Sequence, residues 1–350
     1  MNRILIVRTS AIGDIVFASP IAGVLRAAHP DAHIAWLVEP GLGALIAADP
    51  AVDEVLAWPK AEWQRLWRER RLAALWQAVR RFRRELHERR FDLAIDLQGL
   101  AKSGLVTWLS GAPRRIGLGS REGSHLLMTE VIAKRGVLER ISSEYRYLAE
   151  QLGLPAGEFV PNLHADPAAE AQALARLAEL KLAPGGYAVL APFTTRPQKH
   201  WFEDAWQALA PRLQAELDLT PVMLGGPADQ AAAARIAGPG SGIVNLAGST
   251  GLAEAAALVK HAGLVVGVDT GLTHMGVGFD RPTVAIFGST RPYLDAGRPN
   301  ARVIWLGLPC SPCRRHPTCG GAFTCLRDIT PERVMEEVRS ALGTEGATIC

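Results

Sequence analysis

Short apolar, β-branched runs that end in small-residue turns and hand over to helical patterns recur along this chain in two successive blocks. Ile4 to Val7 is the first such run, followed by a Ser/Gly turn and a helical pattern through Ile15, Ile21, Val24 and Leu25. His33 to Val38, Val52 to Ala57 and Leu93 to Leu97 continue the alternation. Strands separated by helices predict a parallel sheet with helices on both faces. A Pro/Gly-rich, Ala-rich stretch from about Leu154 to Gly186 interrupts the pattern, which then restarts at Tyr187 to Leu190. It continues at Pro221 to Leu224, Ile243 to Leu246, Leu264 to Val268 and Thr283 to Phe287, with helical stretches over 202–216, 228–237 and 252–261. A length of 350 residues suits two such α/β domains. The expected organisation is a first domain over 1–165, a linker over 166–185 and a second domain over 186–330. A C-terminal helix and tail over 331–350 follow, with Thr330 as N-cap, Pro331 opening the helix and Gly343 stopping it after 342.

Composition narrows the class. Hydrophobic residues make up 48% and charged residues 21%, which fits a folded globular protein and neither wholesale disorder nor a disulfide scaffold. The most apolar windows are cut by Arg8 and Asp14, by Lys102 and by Asp269, so no membrane span is expected. The apolar run between Arg3 and Arg8 is too short for a secretory leader, and the expected location is the cytoplasm.

In doubly wound sheets, ligands bind beyond the carboxyl ends of the strands, so the loops there are where chemistry is sought. The first, Arg8-Thr9-Ser10-Ala11-Ile12-Gly13-Asp14, is not a dinucleotide-binding GxGxxG, which counts against a nicotinamide enzyme. Gly13 lets backbone approach a ligand closely, and Asp14 either projects a carboxylate toward it or caps the following helix. Asp269-Thr270-Gly271-Leu272-Thr273-His274 is a small-residue turn opening a helix, a place for a diphosphate on free backbone N–H groups or an ordinary Asp N-cap. Thr194-Thr195-Arg196-Pro197-Gln198-Lys199 offers two hydroxyls and two cations to a diphosphate leaving group, the alternative being a solvated loop. Asp229, in Gly225-Gly226-Pro227-Ala228-Asp229, is placed to hold ribose hydroxyls.

Charge is uneven. Residues 60–90 hold eleven Lys or Arg against four Glu, a net of +7, so the rest of this +3 chain sums to −4. Trp63, Trp67, Trp76, Phe82 and Leu86 interleave with those arginines, which reads as a surface for anionic lipid headgroups or as a solvated helix face. No nucleic-acid recognition motif accompanies it. Cys310, Cys313, Cys319 and Cys325 follow C-x2-C-x5-C-x5-C, compatible with a structural zinc, reduced thiols or disulfides, and a fifth cysteine is Cys350.

At RTSAIGD (8–14), DLQGLAKSG (96–104), TTRPQKHW (194–201) and VDTGLTH (268–274), the chain resembles the lipopolysaccharide heptosyltransferases, family 9 of the glycosyltransferases, over nearly its whole length. Within them it looks most like the type I members; type II members carry Lys-Arg-Trp-Pro where this chain has Lys199-His200-Trp201. The resemblance implies the α/β GT-B fold, two facing Rossmann-like domains with a cleft between them. It also implies transfer of L-glycero-D-manno-heptose from ADP-heptose to the first Kdo of Kdo-lipid A, with inversion. By the same resemblance, Asp14 would be the general base, and Lys199, with Thr194 and Thr195, would bind the diphosphate and stabilise its departure. Asp269, Thr270, Gly271 and His274 would sit at the donor's phosphates and sugar. Ser10, Gly13, Arg65, Arg68, Lys102 and Arg121 would meet the anionic acceptor. No cofactor and no catalytic metal are expected, since Lys and backbone dipoles handle the leaving group. The expected protein is a monomer, peripheral to the inner face of the inner membrane of a Gram-negative bacterium, without nucleic acid. The alternatives are a related transferase with another nucleotide sugar or core acceptor, as in type II, and a non-catalytic nucleotide-binding protein of the membrane surface.

Overall fold

The computed structural model describes residues 2–313 and 316–343; the tail beyond, with Cys350, lies outside the described residues. The chain forms two compact units, one running to Val137 and again over Ser142–Phe159, the other taking Leu138–Ile141 and the chain from Val160.

The first unit is built from β1 (Arg3–Val7), α1 (Ile12–Ala18), α2 (Pro20–Ala28), β2 (His33–Val38), β3 (Glu54–Ala57) and α3 (Lys60–Arg68). It continues with α4 (Leu72–Glu88), β4 (Leu93–Asp96), α5 (Ala101–Leu109), β5 (Arg114–Leu118), β6 (Glu130–Ile132) and α6 (Ser143–Gln151). Its six strands pair in the order β3-β2-β1-β4-β5-β6, all parallel, with Val7 opposite both Leu37 and Asp96. Ile4 to Val7 is fully buried, as a strand covered on both faces requires. The helical pattern after β1 is two helices, because Pro20 has no N–H to continue α1 and instead opens α2. The strand expected from Val52 starts at Glu54, since the Asp53 carboxylate is held by the Ile34 amide at 2.7 Å and by Arg26.

Residues 60–90 divide by depth. Trp63, Phe82 and Leu86 are buried on one side, with Trp63 packed edge-on between Trp58 and Phe82, while Trp67 and Trp76 stand exposed among the arginines. Three of the five aromatic and apolar side chains read as part of a lipid-facing surface are therefore core, as a helix with one apolar stripe demands.

The second unit comprises α7 (Pro167–Glu179), β7 (Tyr187–Ala191), α8 (Glu203–Leu217), β8 (Thr220–Met223), α9 (Gln230–Ile236), β9 (Val244–Asn245) and α10 (Leu252–Lys260). It ends with β10 (Leu264–Val268), α11 (Gly271–Gly278), β11 (Thr283–Ile286), β12 (Ala301–Ile304), α12 (Thr324–Arg327) and α13 (Pro331–Ala341). The strand order is β12-β11-β10-β7-β8-β9, again parallel throughout. The segment read as a linker, 166–185, holds α7. Asp166 caps it by accepting from the Ala169 amide at 2.9 Å, and Glu170 and Arg176 pair with Lys260 and Glu254 of α10. At the other end of the unit, Thr330 caps α13 and Val334, Met335 and Val338 join the core.

Candidate functional site

Each sheet reverses its winding between two neighbouring strands, β1 and β4 in the first unit, β7 and β10 in the second, and in doubly wound sheets the loops at such a switch point are where ligands bind. The segments singled out in the sequence leave these four strands: 8–14 after β1, 97–104 after β4, 194–199 after β7 and 269–274 after β10.

In the first unit Asp14 lies in the first turn of α1, and its two oxygens are used differently. One accepts from the Ala11 amide at 3.1 Å, closing the turn, and the other is 2.7 Å from Arg8. The cap and the projecting carboxylate are thus the same side chain, 46% exposed. Arg8 is buried and donates to the Leu97 carbonyl at 3.1 Å, tying the β1 loop to the β4 loop, as does Thr9, whose hydroxyl donates to Gln98 at 2.7 Å. Burial works against the Arg8 charge, but Tyr145, Asp14 and Glu144 more than restore it and hold the guanidinium above its ordinary value. Below this loop the buried Asp96 accepts from the Gln98 and Gly99 amides and the Ser103 hydroxyl, all within 3.0 Å, while burial raises its carboxyl above the ordinary range. Gly99 has φ +66°, and a side chain there would meet the Leu118 carbonyl at 2.4 Å, so the turn requires glycine.

Ser10 and Gly13 sit half-buried in the Asp14 loop. Arg121 is exposed and bound through its backbone amide to the Gly99 carbonyl at 2.7 Å. Lys102 is 3.8 Å from Glu39, which also takes Lys60 at 2.8 Å. Burial and then the Lys60 charge push the Lys102 ammonium below its ordinary value. Arg65 and Arg68 lie exposed on α3 instead, Arg65 paired with Glu69 and Arg68 donating to the Gln64 carbonyl.

In the second unit the loops meet on Asp269. Lys199 reaches its carboxylate at 2.7 Å, Thr290 donates to the same oxygen at 2.6 Å, and His274 bonds the other oxygen through Nε2 at 3.1 Å. The Tyr293 hydroxyl lies 3.0 Å from His274 Nδ1. Burial alone would raise the Asp269 carboxyl, but the His274 hydrogen bond and charge, then Lys199, outweigh it and hold the group well below the usual carboxylate range. Burial keeps the Tyr293 hydroxyl far above its ordinary value, so it remains a donor. Thr270 precedes Gly271 at the start of α11, where the first turn leaves backbone N–H groups free for an anion. Thr194 is half-buried and Thr195 exposed ahead of Lys199, and the Thr194 carbonyl accepts from the His200 ring at 2.8 Å. Asp229 spends one oxygen on the Gly226 amide at 2.8 Å, closing its own turn. Thr290 and Tyr293 were not singled out in the sequence; the turn Gly288-Ser289-Thr290 after β11 was the available signal.

Cys310, Cys313, Cys319 and Cys325 come together around a space of about 30 Å³ as free thiols. Among the described residues, no group of three or more His, Cys, Asp or Glu is disposed to hold a metal ion.

Comparison with known proteins matches residues 79–321 to the model of glycosyltransferase family 9 (heptosyltransferase). The chain is 30% identical to lipopolysaccharide heptosyltransferase 1 of Pseudomonas aeruginosa, covering 97% of this chain and 98% of the relative. It is 28% identical to lipopolysaccharide heptosyltransferase 2 of Salmonella typhimurium, covering 98% and 99%. Among solved structures, E. coli heptosyltransferase WaaC with ADP superposes with a TM-score of 0.76 at 27% identity, covering 97% and 99%.

Proposed function

The chain belongs to glycosyltransferase family 9 and is a heptosyltransferase of the lipopolysaccharide core with a GT-B fold, and on that premise we propose that it is the type I enzyme. It transfers L-glycero-D-manno-heptose from ADP-heptose to the first Kdo of Kdo-lipid A, inverting the anomeric centre. The observation that carries this reading is the Lys199–Asp269–His274 constellation, a cation fixed beside free helix N–H groups at the switch point of the second unit. Thr194, Thr195, Thr270 and Gly271 complete the diphosphate-binding group, and Asp229 takes the ribose.

The chemistry is one displacement. Asp14 accepts the proton of the acceptor hydroxyl as its oxygen bonds to the anomeric carbon. The carbon–oxygen bond to ADP breaks on the opposite face, where Lys199 and the α11 amides receive the developing charge. Ser10, Gly13, Lys102, Arg121, Arg65 and Arg68 bind the anionic acceptor. Lys199 fills the role a metal would otherwise take, so chelators leave the rate unchanged. Among the described residues, no helix is long and apolar enough to cross a membrane. The enzyme works as a monomer, peripheral to the inner face of the inner membrane of a Gram-negative bacterium, and uses no nucleic acid.

Type I is favoured over type II by Lys199-His200-Trp201, while the relatives of the two types are similar to this chain to nearly the same degree, at 30% and 28% identity. The test is ADP release from ADP-heptose with two acceptors: Kdo-lipid A lacking heptose, and the same lipid already carrying the first heptose. Release with the first alone, lost in Asp14→Asn while ADP still binds, is expected. Release only with the second overturns the type I reading, and an unaffected Asp14→Asn overturns the assigned base.

A further inference from the structure

An open trough of about 760 Å³ lies within the first unit and is lined on its apolar side by Trp58, Trp63, Trp67, Leu75, Val79 and Leu105. That volume lies within the range of about 300–1,000 Å³ usual for sites that bury a small ligand. Its cationic lining is Lys60, Lys102 and Arg68. Two of these ammonium groups share a single carboxylate, Glu39, at 2.8 and 3.8 Å, which leaves an excess of positive charge beside the apolar wall. A long hydrophobic surface joined to a cationic one matches an amphiphile with an anionic head and an apolar tail.

Position says which amphiphile. Lys60 follows β3, Glu39 follows β2, Asp14 follows β1 and Lys102 follows β4, so Lys60, Lys102 and the Asp14 carboxylate stand along the same carboxyl edge of one sheet, with Arg68 further along α3. A molecule whose head is at that edge lies next to the trough. Trp67 is 66% exposed and Leu105 is 41% exposed, and neither supports the core, so the wall they form costs solvation until something covers it. Leu72 and Trp76 are also exposed on α4, the helix that supplies Leu75 and Val79 to the trough, with Trp76 beneath the Arg80 guanidinium at 4.3 Å. Burial and then the Lys60 charge depress the Lys102 ammonium, and an anion arriving between the two lysines would offset the second of these.

We propose that this trough binds an acyl chain of the acylated, anionic acceptor, with Lys60, Lys102 and Arg68 holding a phosphate or carboxylate of its head. The inference rests on the acceptor being an acylated glycolipid, as read above, and adds that the enzyme recognises the lipid tail as well as the sugar.

The experiment is a binding titration on the full chain, independent of transfer. Kdo-lipid A and its fully deacylated counterpart are titrated in the same detergent into wild-type protein and into the double variant Trp67→Ala, Leu105→Asn. Both substituted side chains are exposed, and circular dichroism checks the fold. Wild type is expected to bind the acylated form at least about tenfold more tightly, because burying even a few methylenes is worth that much. In the double variant the ratio falls toward one while affinity for the deacylated form is unchanged. A ratio of one in wild type, or a ratio that survives the double substitution, overturns the proposal. So does displacement of the acylated acceptor by phosphatidylglycerol at equal concentration, which would give the trough to bulk lipid. A preserved ratio without ADP release from either acceptor overturns the assigned reaction and leaves the trough's ligand standing.

Discussion

Lys199 and Asp269 meet at 2.7 Å although 70 residues separate them, because β7 and β10 are neighbours and deliver their loops to one point. The pairing fixes a long, flexible cation beside the start of α11, where we propose that the diphosphate leaves. Replacing Lys199 by Met should lower kcat for ADP release by about 10²–10³-fold, the usual cost of removing one group that stabilises developing charge. Lys199→Arg should recover part of it. Equal rates for wild type and Lys199→Met in a steady-state ADP assay would remove Lys199 from the reaction.

The same pair makes stability depend on acid. Asp269 is depressed in the folded chain by His274 and Lys199 against the cost of burial, so its contribution is complete above the unfolded carboxylate value of about 3.9 and is lost as pH falls below that toward the folded value. The stability gap between wild type and Asp269→Asn should therefore be widest near neutrality and narrow below about pH 4. Urea unfolding of both proteins across that range reads it directly. A gap that stays constant or grows in acid would contradict the assignment.

Gly267 allows β10 to deliver Asp269 at this point. A Cβ there would sit 2.1 Å from the Thr273 hydroxyl and 2.8 Å from the Ala191 side chain. That hydroxyl donates to the Val268 carbonyl at 2.7 Å at the root of α11. Gly267→Ala should destabilise by about 1–3 kcal/mol in urea unfolding and weaken ADP binding as well, since β10 and α11 must part to admit it. An unchanged midpoint would mean that the sheet relaxes around the methyl.

What could be read beforehand follows from burial. β1, β2, β4, β7 and β10 are apolar on both faces and stood out as continuous runs, and the loops at their ends contained most of the constellation. β5, β6 and β12 did not stand out: β5 opens on Arg114 and Arg115, β6 is three residues with two exposed, and β12 carries Arg302. Their exposed or charged positions break the continuous apolar run that marks a strand covered on both faces. α7 was obscured by flanking Pro and Gly, although Asp166-Pro167 is a helix start by its own chemistry. Thr290 and Tyr293 act through contacts with Asp269 and His274 that no local pattern encodes.

Arg8 is the last test, because it joins the two loops of the first unit. It is buried, gives one N–H to the Leu97 carbonyl after β4 and lies 2.7 Å from the Asp14 carboxylate, whose other oxygen is held by the Ala11 amide. Asp14 is thus held from two sides while remaining 46% exposed, as the base proposed for the acceptor hydroxyl needs. On the proposal that Asp14 is the base, Arg8 would act through it as a positioning residue. Arg8→Gln should cost about 1–3 kcal/mol of stability through the partners it leaves unmatched. Its distinguishing effect is on kinetics: kcat should fall while KM for ADP-heptose stays the same, because the donor group in the second unit is untouched. Arg8→Lys should restore part of kcat. If Arg8→Gln lowers stability and leaves kcat intact at a temperature where the variant is folded, Arg8 serves the fold alone and Asp14 needs no partner to aim it.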